Sequence, residues 1–154
     1  MSPTLHAPAD PYLRLRRSGC HGICPDYTLS VLGNGQVSFL GHRYVKCLGN
    51  HRVWLTATRV EAMTTAFVEA DFLSLPPQLH FPPLPDCSSI IQLFFRYRGV
   101  SRAVTLVPAK NAAQVSEDGV VLQRIANQID ILAKSRHWIG DDEAWSVGRG
   151  LCSS

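Results

Sequence analysis

Residues 27–40 read YTLSVLGNGQVSFL, and this stretch predicts a β-hairpin. Apolar and polar residues alternate on both sides of Gly33-Asn34-Gly35, which is the pattern of two paired strands. Glycine and asparagine tolerate the positive φ angles that a tight hairpin turn requires. The stretch therefore indicates a sheet with antiparallel neighbours as the basis of the fold.

Further strand patterns lie on both sides of this hairpin. They are predicted around 12–15 and at 44–48, 51–55, 90–97 and 100–107, the last two flanking the turn Arg98-Gly99. The proline-rich stretch 76–86 predicts a loop, because proline interrupts regular structure. The nearly continuous apolar run at 90–95 is typical of a central strand.

Two amphipathic helices are predicted among these strands. The first begins after Thr56 or Thr58 as the N-cap and places Val60, Met63, Phe67 and Ala70 on one face. The second runs from about 116 to 135. The elements together predict an α+β fold. It is a two-layer sandwich in which two helices cover one face of an antiparallel sheet of about six strands. The order is sheet, helix, sheet, helix.

Length and composition limit the organisation of the chain. Its 154 residues fit one domain, predicted at 12–139, with a flexible arm at 1–11 and a tail at 140–154. The net charge of +3 is too small to point to nucleic acid by itself. No apolar run approaches the roughly 20 residues of a membrane span. The start lacks the features of a signal peptide, so we expect a cytoplasmic protein, or an exported one if a leader was removed.

The densest chemical signal is the segment 16–27, RRSGCHGICPDY. Pro25 favours an extended Cys24, and Gly19 and Gly22 permit a tight turn between the two cysteines. Such a turn can bring Cys20 and Cys24 within disulfide distance, or point both sulfurs at one metal. The candidate site residues are Cys20, His21 and Cys24, with Arg17, Gly19, Gly22, Pro25 and Tyr27 as supporting residues.

Three interpretations of this turn stay open. It is a structural disulfide or a pair of packed thiols, a zinc or copper site, or a redox or nucleophilic cysteine. A tetrahedral zinc would need two more ligands beyond the cysteine pair, with His21, Cys47, His80 and Cys87 as candidates. Apart from that zinc or copper, no cofactor is predicted. Cys47, within a predicted strand, is expected to be a reduced core cysteine.

The pattern R-S-G-C-x-G-x-C-P-x-Y at 17–27, with the G-x-G hairpin after it, resembles an uncharacterised bacterial family of domains of unknown function. The residues that carry the resemblance are Cys20, Gly22, Cys24, Pro25 and Tyr27. It extends from about Tyr12 to Trp138 and implies the same order of sheets and helices, but no activity. Many members of that family are exported or lipid-anchored, which would suit a disulfide.

No nucleotide-binding, nucleophile-elbow or zincin motif occurs, so the sequence favours a non-enzymatic protein. We expect a small binding or assembly domain whose Cys20/Cys24 turn is a structural or redox element. The alternative is a thiol-dependent metal-binding or redox protein. The expected partner is a protein, which would contact the loop 76–86, the chain ends, or a surface of Arg96, Arg98 and Arg102. Nucleic acid is not expected, because Phe95 and Tyr97 alternate with Arg96 and Arg98 and so lie on the opposite strand face.

Overall fold

The computed structural model describes residues 11–18, 24–82 and 89–140. In this part of the chain seven strands form one sheet in the order β4-β3-β2-β1-β6-β7-β5. The strands are β1 (Tyr12–Ser18), β2 (Asp26–Leu32), β3 (Gln36–Arg43), β4 (Gly49–Trp54), β5 (Gln78–Phe81), β6 (Ile90–Tyr97) and β7 (Val100–Pro108). All neighbours are antiparallel except β5 and β7, which are parallel.

The predicted hairpin is confirmed as β2 and β3. Ser30 lies opposite Ser38, and the turn closes through a hydrogen bond from the Gly35 N–H to the Leu32 carbonyl oxygen at 2.9 Å. Gly35 has a φ of +97°, and a Cβ atom there would lie 2.5 Å from the carbonyl oxygen of Leu55. The turn therefore requires glycine for its backbone conformation and for the space that its neighbour occupies.

Three helices are present among the described residues: α1 (Ala57–Glu69), α2 (Glu117–Ala133) and the short α3 (Arg136–Ile139). Thr56 is the N-cap of α1, since its side chain accepts a hydrogen bond from the Arg59 N–H; Ser116 caps α2 in the same way. Val60, Met63 and Phe67 of α1 and Leu122, Ile125 and Ile129 of α2 are buried in the core with the sheet. The α+β prediction is confirmed in outline.

The seven strands of the described residues roughly fit the predicted six, but the prediction of a purely antiparallel sheet is wrong. The sheet is mixed, because residues 78–81 form a strand inside the predicted loop 76–86 and pair in parallel with β7. Pro76, Pro77 and Pro82 flank this strand without entering it, and Leu79 and Phe81 point into the core. The short helix α3 also follows α2, so the predicted element order is incomplete.

Residues 44–48 do not form the predicted strand. Tyr44 has a φ of +57°, and the segment crosses over Gly41, where a Cβ atom would lie 2.3 Å from the Cys47 carbonyl oxygen. The N–H groups of Lys46 and Cys47 donate to the carbonyl oxygens of Ile139 and Trp138, each at 2.9 Å. The backbone of this segment is thus satisfied by α3 instead of by the sheet.

The two faces of the sheet differ. Leu13 and Leu15 of β1 are buried in the core with the helices, whereas Arg14 and Arg16 lie on the opposite face. No described helix covers that second face, which we call the open face. The predicted arm, apart from Pro11, and the predicted tail after Gly140 lie outside the described residues. None of the described helices is long and apolar enough to cross a membrane.

Candidate functional site: the cysteine edge

Several strand ends meet at one edge of the sheet. Ser18 at the end of β1 lies opposite Ile90 at the start of β6, and Asp26 at the start of β2 lies opposite Arg43 at the end of β3. Cys24 precedes β2 by two residues and Cys47 follows β3 by four. We call this side of the sheet, with Cys24 and Cys47, the cysteine edge.

Both described cysteines at this edge are buried and oxidised. The exposed fraction is 4% for Cys24 and 0% for Cys47, and both are disulfide-bonded. Cys47 also lies under α3, with its Sγ atom 3.9 Å from the carbonyl oxygen of His137. The prediction of a reduced Cys47 is therefore wrong. The sequence placed Cys47 in a regular strand, whereas the chain leaves the sheet there and folds beneath the helix.

Only part of the predicted site falls in the described residues. Gly19, Cys20, His21 and Gly22 lie outside them, as do Cys87 and the end of the predicted loop at 83–86. Cys24 and Pro25 lead directly into β2. Arg17 and Tyr27 lie opposite each other on β1 and β2, the strands that the turn connects in sequence.

Arg17 and Tyr27 take part in a polar cluster with α2. The Arg17 Nε atom donates to the Tyr27 hydroxyl and to Asp130 Oδ2, each at 3.0 Å, and Arg17 Nη2 donates to Asn127 Oδ1 at 2.9 Å. The Tyr27 hydroxyl donates to the Asp130 carboxylate at 2.8 Å. Ser135, between α2 and α3, donates to Asp130 Oδ1 at 2.5 Å. The cluster thus connects β1 and β2 to α2 and to the start of α3.

Burial and the neighbouring charges together set the protonation of this cluster. Burial works against the charge of Arg17, but Tyr27 and Asp130 outweigh it, so the pKa of Arg17 is raised above its ordinary value. Burial and then the charge of Asp130 raise the pKa of Tyr27 well above its ordinary value, although Arg17 lowers it. Tyr27 is therefore a neutral phenol that donates to a carboxylate. It is not poised to act as a base, and the cluster holds the fold together.

The sequence did not predict Asp130, Asn127 or Ser135 as partners of the turn. Asn127 and Asp130 are three residues apart and so share one face of α2, next to the buried Ala126 and Ile129. That polar pair beside an apolar face was the available signal. This signal does not show which residues the pair contacts, because Arg17 is more than 100 residues away along the chain.

A second charged group lies on the opposite side of the same edge. Asp26 is buried, with Arg16 Nη2 at 3.4 Å from Oδ1 and Arg43 Nε at 3.6 Å from Oδ2. Within the described part of the chain Asp26 Oδ1 accepts no hydrogen bond, so its interaction with the Arg16 guanidinium is an ion pair only. The Nη1 atom of Arg16 also lies 2.9 Å from the Nε2 atom of His42. Through Arg16, this charged group is continuous with the open face.

The predicted surface of Arg96, Arg98 and Arg102 is divided. Arg96 lies on the open face, Arg98 is in the turn beside Tyr97, and Arg102 pairs with Phe95 across β6 and β7. Among residues 11–18, 24–82 and 89–140, no group of three or more His, Cys, Asp or Glu side chains could hold a metal. Of the described residues that the sequence predicted for a site, Arg17, Cys24 and Tyr27 thus lie at the cysteine edge and Arg96 lies on the open face.

Comparison with known proteins places the chain in one family. The model of a family described as Domain of unknown function (DUF6438) matches residues 11–118. The match covers all seven strands and α1 and ends in the first turn of α2. No curated protein matches the chain.

Proposed function

The chain belongs to this family of domains of unknown function, so we propose a function from its own residues. It is a small, non-enzymatic binding domain in which the disulfides of the cysteine edge have a structural role. We call these disulfides the staple. The observation that carries the proposal is the burial of the disulfide-bonded Cys24 and Cys47. Cysteines that exchange disulfides or attack substrates are accessible to their partners. Side chains exposed by 4% and 0% favour the structural role over the redox one.

The pairing that we propose for the turn is Cys20 with Cys24. A Cys-x-x-x-Cys turn with Pro25 after it keeps Cys24 extended and suits this short loop. A bond that closes so short a loop contributes about 2 kcal/mol. With five cysteines in the chain, a second bond through Cys47 would leave one thiol.

The neighbouring polar cluster supports the same view of the edge. Tyr27 is buried and Arg17 is partly buried, and both donate hydrogen bonds to Asp130. The Tyr27 hydroxyl and the Nε and Nη2 atoms of Arg17 donate within the fold, which favours a structural role for both side chains. The strand residues that flank the turn in sequence are thus held by α2, and in our proposal a disulfide closes the turn itself.

The redox state also bears on compartment and partner. Structural disulfides persist in oxidising compartments and are rare in the cytosol. We therefore propose that the protein works in such a compartment and that its partner is a protein, since nucleic acid is scarce there.

Mass spectrometry of the intact protein, with and without reductant, tests the staple. We expect reduction to add two hydrogen atoms per bond, for two bonds, and a non-reducing peptide map to join Cys20 to Cys24. Cys24→Ser should lower the melting temperature, and the matched control is a serine substitution of the one cysteine that the peptide map shows to be a free thiol. A zinc or copper mass excess that the Cys24→Ser variant lacks would overturn the proposal in favour of a metal protein. A Cys24–Cys47 link would keep the staple and overturn the pairing, and five free thiols would overturn both.

A further inference from the structure

The open face carries two arginine–aromatic pairs at the centre of the sheet. The guanidinium of Arg14 lies over the ring of Phe94 and that of Arg96 over the ring of Tyr12, each at 5.0 Å from the ring centre. The two rings meet edge to face at 5.8 Å. Because β1 and β6 are neighbours in the middle of the sheet, these four side chains form one continuous patch.

A depression adjoins this patch. Its volume is about 280 Å³, and its lining includes Arg14, Arg16, Thr28, Gln92, Phe94 and Thr105. Two guanidinium groups, two hydroxyls and an amide thus surround one aromatic ring. Such a hollow can take a side chain that ends in a planar anion, because guanidinium forks match carboxylates.

Charge is unevenly distributed between the two layers. Six of the seven described carboxylates belong to the helical layer or its connections: Glu61, Glu69, Asp71, Glu117, Asp118 and Asp130. The seventh, Asp26, already has Arg16 and Arg43 beside it. No described carboxylate forms an ion pair with Arg14, Arg52 or Arg96 on the open face. Among the described residues, the open face therefore carries an excess of positive charge.

We propose that the open face is the binding surface of the domain and that its partner is an acidic segment of another protein. This rests on the proposed function, to which it adds a location and a chemistry. Arginine and aromatic residues are enriched in protein interfaces and supply most of their binding energy, whereas lysine, aspartate and glutamate are depleted. The strand residues of the open face have this composition, with Tyr12, Phe94, Arg14 and Arg96 at the centre.

Two other occupants fit less well. A single-stranded nucleic acid needs free ring faces for base stacking, but arginines already lie over Tyr12 and Phe94. A second copy of the chain would bring two identical arginine-rich faces together, and like charges across an interface are unfavourable. An acidic segment instead supplies carboxylates, of which the described part of the open face has only Asp26.

Selection from a displayed library of random peptides tests the proposal on the oxidised, full-length protein. We expect the enriched peptides to be rich in aspartate and glutamate. A synthetic, fluorescently labelled copy should bind the wild type and lose at least about tenfold in affinity with Arg14→Ala/Arg96→Ala. The matched control Arg124→Ala/Arg136→Ala removes the same charge from exposed positions of α2 and α3 and should lose less than about twofold.

A conservative pair keeps the test valid if the alanine pair fails to fold. Arg14→Lys/Arg96→Lys retains the charge but not the guanidinium fork, so we expect an intermediate loss. The proposal is overturned if the enriched peptides are neutral or basic, if both alanine pairs lose equally, or if no peptide prefers the wild type to the Arg14/Arg96 variants. It is also overturned if a single-stranded oligonucleotide of equal charge binds more tightly than the peptide.

The outcome is separable from that of the staple. Acidic peptides that bind a protein with five free thiols would support the open face and contradict the staple. A protein with the expected disulfides that selects no acidic peptide would keep the staple and contradict the open face.

Discussion

The hydroxyl of Tyr27 donates a hydrogen bond to the carboxylate of Asp130 across 103 residues of chain, at 2.8 Å. Arg17 contacts the same carboxylate at 3.0 Å, so a cation and a neutral donor share one acceptor. The side chains of Arg17 and Asp130 are exposed by only 16% and 18%. The contact thus joins the segment after the cysteine turn to α2 in a region that water reaches poorly.

Removing the acceptor of this cluster should be costly. Asp130→Ala leaves the Arg17 charge and the Tyr27 hydroxyl without their shared partner, and we expect a loss of about 3 kcal/mol in the free energy of unfolding. Tyr27→Phe should cost less, about 1 kcal/mol, since the Arg17–Asp130 pair persists. Guanidinium unfolding measures both. Glu69→Ala removes an exposed acid of α1 and serves as the control. A loss as large as that of Asp130→Ala would contradict the stabilising role of the polar cluster.

Stability should fall at alkaline pH because of Tyr27. Its pKa in the folded protein is raised well above the ordinary value of about 10, so above that pH the unfolded chain loses this proton while the folded protein keeps it. The folded state then binds more protons, and the free energy of unfolding decreases as pH rises above about 10, by at most about 1.4 kcal/mol per pH unit for this one group.

Comparing the wild type with Tyr27→Phe isolates the contribution of Tyr27 to the pH dependence of the free energy of unfolding. We expect equal pH slopes below about pH 9 and a steeper decline for the wild type above about pH 10. Denaturant unfolding at closely spaced pH values, with reductant absent, gives the slopes. Identical slopes throughout would show that the Tyr27 phenol ionises as easily in the fold as in the unfolded chain.

Sequence patterns predicted the parts of the fold that local periodicity encodes. The Gly33-Asn34-Gly35 turn, the alternation in β2 and β3, and the helical spacing of Val60, Met63 and Phe67 all depend on neighbours within a few residues. The strand at 78–81 was missed because four residues between prolines carry little periodicity. Its pairing with β7 depends on residues more than 20 positions away.

The candidate site shows the same division. The cysteine pattern and the supporting residues Arg17 and Tyr27 were visible in the sequence, but their partner Asp130 was not. The open face was hidden for a related reason. Sequence alternation separated Arg96 from Phe95 correctly, yet only the pairing of β1 with β6 places Tyr12 and Arg14 beside Arg96 and Phe94. Strand order is a long-range property that local patterns do not contain.

Thr56 and Thr58, the two N-cap candidates of α1, should differ in their effect on stability. Thr56 accepts a hydrogen bond from the Arg59 N–H, whereas Thr58 already lies inside the helix. We expect Thr56→Ala to lower the free energy of unfolding by about 1 kcal/mol and Thr58→Ala to change it little. Thermal or chemical unfolding of both variants distinguishes them. A larger loss for Thr58→Ala would indicate that Thr58, and not Thr56, is the N-cap of the helix.

Two glycines with positive φ provide a matched test of crowding against backbone strain. Gly35 (φ +97°) and Gly99 (φ +80°) both occupy hairpin turns, but a Cβ atom would meet the Leu55 carbonyl oxygen at 2.5 Å only at Gly35, and nothing within 4 Å at Gly99. Gly99→Ala should therefore cost about 1 kcal/mol, from backbone strain alone. Gly35→Ala should cost distinctly more, because Leu55 must move and its N–H donates to the Gly35 carbonyl oxygen. Denaturant unfolding of the two variants gives the difference. Equal losses would mean that the Gly35–Leu55 contact relaxes freely and that only the φ angle matters at both turns.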